Sequence, residues 1–262
     1  MKKKIFQKKA RIIQNKKAGE GFFEVTLDAP HISASALPGQ FIMVKADNPR
    51  WPLLRRPLGI HKARKNTVTL LYQVVGPGTR MLAGARAGEN LDILGPLGNG
   101  FDQSQARLAK KVVLVAGGMG VAPLLFLAQK LDKKVLVLIG AKDKNHLICE
   151  KEFRALGHKT LIATDDGSRG FKGFVTDMLE GMLRSGGAGC QAIYACGPGP
   201  MLEKVAQISA RCKAPAQVSL ERHMACGFGA CLGCAVDTVD GKKRVCKDGP
   251  VFFANQIIWG KE

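Results

Sequence analysis

Two regimes of hydrophobic patterning divide the chain. Over the first hundred residues, short strand-like runs at 5–13, 22–27, 40–45 and 67–75 are separated by turn residues, a spacing that predicts a small antiparallel barrel. Gly76-Pro77 and Gly95-Pro96 punctuate it, and the polar stretch 102–110 reads as the crossing to a second domain. Beyond that stretch, apolar runs at 112–116, 135–140, 160–163 and 192–195 alternate with helical segments near 122–131, 150–156, 175–184 and 201–212. A strand that is apolar throughout is buried on both faces, so this alternation predicts a doubly wound parallel sheet of the nucleotide-binding kind. After Val218-Ser219-Leu220 the composition turns to Gly, Cys and charge. The expected organisation is a β-barrel over 1–101, an α/β domain over 102–215 and a small module over 216–262.

No stretch approaches the roughly 20 apolar residues of a membrane span. The basic start, Lys2 to Lys4, resembles the head of a signal peptide, but charge returns at Lys8, Lys9 and Arg11 before an apolar core accumulates, so a cytoplasmic address is expected. Forty Lys and Arg against 21 Asp and Glu give a formal charge of +19. That balance raises nucleic-acid binding as a class, yet the lysines crowd the first 17 residues and only two Tyr and two Trp are present to stack bases. Solvated basic faces, or a docking surface for an acidic protein, account for the charge without nucleic acid.

Four of the eight cysteines lie in the last 40 residues. Cys226, Cys231, Cys234 and Cys246 have the spacing C-x4-C-x2-C-x11-C, the pattern of plant-type [2Fe-2S] ligation, in which four thiolates hold two irons with bridging sulfides. Gly227, Gly229, Ala230 and Gly233 let the backbone wrap tightly and aim amides at the sulfurs. Structural zinc is the competing reading, but it favours two short paired spacings, whereas here three cysteines share one loop and the fourth returns from a hairpin. Cys149, Cys190 and Cys212 read as packed or incidental. His223, beside the loop, reads as a tuning or packing residue, since four cysteines already complete the ligand set.

Gly118 and Gly120 lie in a glycine loop that follows an expected strand and opens a helix, which leaves backbone amides facing a diphosphate at the helix's positive end. Cys196-Gly197-Pro198 ends a later strand of the same sheet, where ligands of open α/β folds bind. Asp165 and Asp166 end the strand between them; carboxylates there accept ribose hydroxyls and repel a 2′-phosphate, which favours NADH over NADPH, with Arg169 adjacent as the opposing charge. In the first domain Arg56 offers a guanidinium fork just before a strand, and Gly78 and Thr79 precede a helical segment at 80–87; together they would clamp a dinucleotide.

The barrel motif, the GGMGVAPL loop at 117–124, the CGPGPM segment at 196–201 and the terminal ERHMACGFGACLGC at 221–234 stand in the order found in ferredoxin-reductase-like flavoproteins. Over essentially its whole length the chain resembles that family, and its terminal segment is most similar to the electron-transfer subunits of two-subunit, NAD-dependent dihydroorotate dehydrogenases. The resemblance implies FAD along Arg56, Pro57, Leu58 and Gly59, with Leu71, Tyr72 and Gln73 and with Gly78 and Thr79. It implies NADH near Gly118, Gly120, Cys196 and Gly197, and a catalytic partner subunit carrying FMN and the pyrimidine site, assembled two plus two. Where the family commonly has serine near the flavin's reactive nitrogen, this chain has Gly59, so only backbone contact remains there.

The chemistry so implied is hydride transfer from NADH to FAD and single-electron passage through the cluster, the flavin converting between the two. It demands no general base; Cys196 would shape the nicotinamide pocket. Phe252, Phe253 and Trp259 would close over cofactors, form a subunit interface or pack the core. Two rivals remain: a diaphorase-like subunit of a hydrogenase, sulfite reductase or ferredoxin-dependent transhydrogenase, and a zinc-stabilised regulatory or nucleic-acid-binding protein.

Overall fold

Alternation in the first hundred residues closes on itself. In the computed structural model, which describes residues 4–46, 53–185 and 191–260, six antiparallel strands form a closed barrel: β1 (Phe6–Gly19), β2 (Phe22–Asp28), β3 (Phe41–Ala46), β4 (Arg56–Arg64), β5 (Thr67–Gln73) and β6 (Asn90–Leu97), in the order β1-β2-β5-β4-β3-β6. Ile12, Val25, Ile42, Ile60, Leu70 and Ile93 fill its interior. Two strands differ from expectation. Gly95-Pro96 lies inside β6, where Gly95 pairs with Phe6, so it does not separate strands. Arg56 to Gly59 do not precede a strand; they are the start of β4, half-buried because they face a cavity instead of the barrel core.

The helix α1 (Pro30–Ser33) is a single turn, and α2 (Pro77–Gly84) begins three residues ahead of the expected 80–87 segment. Proline in the first turn suits a helix start, and the Thr79 hydroxyl accepts from the amides of Val75 and Gly76 at 3.0 and 3.2 Å. Gly78 and Thr79 therefore belong to the helix's first turn.

The crossing at 102–110 contains α3 (Ser104–Leu108) and is tied to the sheet: Tyr194 donates its hydroxyl to the Asp102 carbonyl at 2.9 Å and accepts from the Ala106 amide at 3.1 Å. Then follow β7 (Lys111–Gly117), α4 (Val121–Lys130), β8 (Leu136–Ala141), α5 (Glu150–Ala155), β9 (Lys159–Thr164), β10 (Phe171–Lys172), α6 (Val175–Ser185), β11 (Gln191–Cys196), α7 (Gly199–Arg211) and β12 (Ala216–Ser219). A hairpin of β13 (Ala235–Thr238) and β14 (Gly241–Arg244) comes next, and β15 (Val251–Phe253) returns to the sheet, antiparallel to β12. The sheet order is β10-β9-β8-β7-β11-β12-β15, parallel except at β15.

Helices cover both faces. Val112, Leu114 and Ala116 of β7 pack with Leu124 of α4 and Phe153 of α5. Val113 and Val115 pack with Leu179 of α6 and Val205 of α7. Both strand edges come within two residues of expectation because buried parallel strands carry no polar interruptions. Phe252 is buried opposite Val218, and Trp259 packs on the same core with its indole N–H on the Ala254 carbonyl at 3.3 Å, so these aromatics serve packing. No helix among the described residues is long and apolar enough to cross a membrane.

Barrel and sheet meet where β4 lies against α4. The buried His61 ring donates from Nδ1 to the Ala122 carbonyl at 3.2 Å, and the space at Gly59 ends on Pro123.

Candidate functional site: a cavity joined to a cysteine loop

A cavity of about 550 Å³ opens between barrel and sheet, within the size range of small-molecule sites. Its barrel wall is made by Arg56, Pro57, Leu58 and Gly59 of β4, by Leu71, Tyr72 and Gln73 of β5, and by Thr79 of α2. Gly78 lies just behind: a Cβ there would strike the Arg56 guanidinium, with Cζ at 2.8 Å. The arginine and the helix start, separate features in the sequence, are one feature in space, a cation laid over the positive end of α2. The Tyr72 hydroxyl donates to Asn15 Oδ1 at 3.2 Å, while Asn15 Nδ2 donates to the carbonyls of Leu82 and Ala85 at 2.8 and 2.9 Å. One asparagine thus ties the cavity wall to the end of α2. Burial pushes the Tyr72 hydroxyl up to about 12, so it stays a neutral donor. A Cβ on Gly59 would meet only Pro123 Cδ, at an ordinary 3.7 Å; space alone does not forbid a hydroxyl there.

The opposite wall comes from the sheet's carboxyl edge. Strand order reverses between β7 and β11, the switch point at which open α/β sheets bind ligands. β7 runs into a single turn, Gly118–Gly120, and then α4. Gly120 presses on the Cys196 carbonyl so closely that a Cβ would overlap it and lie 2.9 Å from the Gly197 nitrogen. Gly197 in turn abuts Gly117, its Cβ position 3.0 Å from that amide nitrogen. Gly118 faces open space. Met119, Ala122, Pro123 and Cys196 complete this wall. Burial, then the neighbouring Glu221, hold the Cys196 thiol well above its ordinary range, which leaves it protonated and a pocket former.

Asp165 sits elsewhere. It is exposed beyond the end of β9, two strands from β7, and is not part of the cavity, although it shares the sheet's carboxyl edge with Gly118 and Cys196. Arg169 is turned away onto Glu150, at 3.0 Å.

The cavity floor is the segment that sequence reasoning missed except for His223. Ser219, Leu220, Glu221 and Met224 line it with His223. The available signal was position: these residues end a strand of the nucleotide sheet and directly precede the first loop cysteine. The surrounding cavity walls raise the Glu221 carboxyl above the usual carboxylate range, although the side chain stays open to solvent. His223 is exposed at the floor and so is not a packing residue.

Two residues past Met224, the cysteine loop begins. The thiols of Cys226 and Cys231 interact, as do those of Cys234 and Cys246, and Cys246 also feels Cys226, so the four belong to one group. Four thiols from one loop and one hairpin suit a centre of two irons, each taking two thiolates. Ala230 donates its amide to Cys226 Sγ at 3.3 Å and Cys246 its own to Cys234 Sγ at 3.4 Å. Burial works against the Cys226 thiolate, but the amides of Cys231, Phe228 and Ala230 and the Cys231 thiol outweigh it and bring the group down to about 6. Burial, then Cys234, push Cys246 up to about 12. Gly227 and Gly229 have φ of +79° and +93°, a conformation that side chains resist, and Gly227 is pressed on Met43 and on Leu97, 3.3 Å from its Cβ position. The donor set fits a [2Fe-2S] cluster. Cys234 and Cys246 are buried in the core that Met43, Leu97 and Val218 share, so the loop is fixed to barrel and sheet alike. Cys149 is buried and Cys212 half-buried, apart from this group; Cys190 lies outside the described residues.

Comparisons with known proteins agree with this geometry. Residues 221–258 match the family model for the iron-sulfur cluster binding domain of dihydroorotate dehydrogenase B, and residues 114–207 that for an oxidoreductase NAD-binding domain. The chain is 40% identical to a dihydroorotate dehydrogenase B (NAD+) electron transfer subunit of Desulforamulus reducens, over 90% of this chain and 92% of that one. It is 38% identical to the corresponding subunit of Caldanaerobacter subterraneus, over 96% and 98%. Among solved structures, that of an NADH-dependent reduced ferredoxin-NADP oxidoreductase superposes with a TM-score of 0.83 at 28% identity, covering 95% of this chain and 90% of that one. A ferredoxin NADP+ reductase from Neisseria gonorrhoeae shares the fold, with a TM-score of 0.66 at 17% identity over 80% and 92%.

Proposed function

From the premise that the chain belongs to the family of dihydroorotate dehydrogenase B electron transfer subunits, we propose how its residues divide the work. The protein is an NAD(H)-dependent oxidoreductase subunit of pyrimidine biosynthesis that moves electrons between NAD(H), FAD and a [2Fe-2S] cluster. When bound, the flavin supplies the conversion between hydride and single-electron chemistry.

Arg56, Gly78 and Thr79 hold the flavin's diphosphate at the start of α2, where helix dipole and guanidinium reinforce each other. Pro57, Leu58 and Gly59 with Leu71, Tyr72 and Gln73 bed the ring system and keep water from one side of it. Gly118 and Gly120 bring backbone amides to the NADH diphosphate, and Cys196 and Gly197 set the depth at which the nicotinamide meets the flavin. Asp165 takes the adenosine ribose; the pairing of Arg169 with Glu150, which withdraws a cation from that edge, supports NADH over NADPH. Cys226, Cys231, Cys234 and Cys246 hold the cluster. In this division residues 1–101 carry the flavin, 102–215 the NADH and 216–262 the cluster, the last lending β12 and β15 to the nucleotide sheet.

The observation that carries the reading is continuity: one segment, 219–224, floors the cavity and runs directly into the cysteine loop. A catalytic subunit is implied by the relatives' name; we take it to carry FMN and the pyrimidine site, in an assembly of two plus two, in the cytoplasm, where thiols such as Cys149, Cys196 and Cys212 persist. The likeness to the ferredoxin-NADP oxidoreductase favours service to another redox partner as a second reading, at lower identity.

Replacing the exposed Cys231 by alanine separates the parts. The variant is expected to lose cluster absorbance and iron while it keeps FAD and NADH-dependent dye reduction. Full retention of iron and cluster absorbance would overturn the ligand assignment.

A further inference from the structure

Arg244, the last residue of β14, reaches back across the cluster loop: its Nη1 donates to the Gly229 carbonyl at 2.8 Å. Its other contacts fix it in place. The Arg244 amide donates to Asp248 Oδ2 at 2.8 Å, its Nε approaches the same oxygen at 3.4 Å, and its carbonyl accepts from the amides of Lys247 and Asp248 at 3.1 and 2.7 Å. Arg244 is thereby rigid at the base of the turn that carries Cys246, while its guanidinium holds the loop that carries the other three cysteines.

The carbonyl it holds has a particular position. Gly229 C=O and Ala230 N–H are the two ends of one planar peptide unit, and Ala230 N–H donates to Cys226 Sγ at 3.3 Å. Gly229 sits at a φ of +93°, and Arg244 restrains its carbonyl from outside the loop. A cation on a carbonyl also polarises the amide at the far end of the same peptide and strengthens its hydrogen bond. Reduction of an iron-sulfur cluster by one electron adds negative charge shared with its sulfurs, and hydrogen bonds to those sulfurs are among the factors that set the potential.

We propose that Arg244 is a positioning residue that raises the reduction potential of the cluster by fixing the 229–230 peptide, whose amide serves Cys226. The proposal rests on the reading of Cys226, Cys231, Cys234 and Cys246 as cluster ligands. It makes Arg244, which is not itself a ligand, the link between the loop half and the hairpin half of the ligand set.

The test is an EPR-monitored redox titration of the full chain, wild type against Arg244→Met and Arg244→Lys, with flavin content as the folding control and iron and sulfide analysis first. Arg244→Met is expected to shift the cluster midpoint to more negative potential and to alter the EPR line shape, while the flavin midpoint stays in place. Arg244→Lys, which keeps the cation, is expected to recover most of the shift. If Arg244→Met assembles no cluster, Arg244→Gln takes its place and is expected to lie below Arg244→Lys. Midpoint and spectrum indistinguishable from wild type in the substituted protein would overturn the role of Arg244 alone. A wild-type chain without two irons would overturn the underlying ligand reading.

Discussion

Replacing Gly120 by alanine adds one methyl group where two loops touch. The φ of Gly120, −58°, is open to any residue, so the objection to a side chain is purely steric. The new Cβ would overlap the Cys196 carbonyl and stand 2.9 Å from the Gly197 nitrogen, and both neighbours are backbone that cannot rotate aside. Overpacking of this kind costs about 1–3 kcal/mol. The least costly relief is to part the α4 start from the β11 end, which widens the crevice assigned to NADH. If that whole cost falls on the bound state, affinity drops by about 5- to 150-fold. The assay is steady-state NADH-dependent dye reduction on FAD-replete protein, with a thermal melt alongside. The expected result is a raised KM for NADH with flavin content retained. Wild-type KM together with a wild-type melting temperature would refute the reasoning, because it would mean that the two loops do not meet at the nucleotide.

Other perturbations address other parts. Arg56→Ala removes the cation above the first turn of α2 and is expected to weaken FAD retention about tenfold or more, the scale of a charged hydrogen bond to phosphate, as read by flavin content after gel filtration; unchanged occupancy would move the flavin site. His61 is buried, and that burial, with Lys62 adding to it and the Ala122 carbonyl and Glu24 opposing, depresses its pKa from 6.5 to about 4. The unfolded chain therefore binds the proton first as pH falls, so stability is full above about pH 6.5, declines toward about pH 4 and levels below it, where the folded form is protonated as well. His61→Gln should flatten that slope in urea titrations across the window; an unaltered slope would assign it to other groups.

The nucleotide half was legible because its strands are buried on both sides and announce themselves as unbroken apolar runs. The barrel was legible only where strands are ordinary. β4 begins with Arg56 and Pro57, residues chosen for a cavity and not for a core, so no period-2 pattern marks it. β6 was obscured by Gly95-Pro96, which reads as a turn but sits in a strand where Ile42 lies 3.2 Å from the Cβ position of Gly95. Spacing alone singled out the four cysteines, since ligation to a fixed geometry constrains sequence locally. It could not show that Arg244 meets Gly229 from 15 residues away. The cavity floor at Glu221 and Met224 was hidden for the same reason: the segment was marked by its cysteines, and its first residues gain their role from the return of β12 to the sheet.

The central claim is that reducing equivalents entering from NADH leave through the cysteine-held irons. Anaerobic addition of NADH to the flavin- and iron-loaded chain, followed by absorbance and low-temperature EPR, tests it directly. Bleaching of the flavin accompanied by the signal of a reduced [2Fe-2S] cluster, rising toward one spin per chain, is the predicted result. A bleached flavin with an EPR-silent cluster, in protein holding two irons, would contradict it.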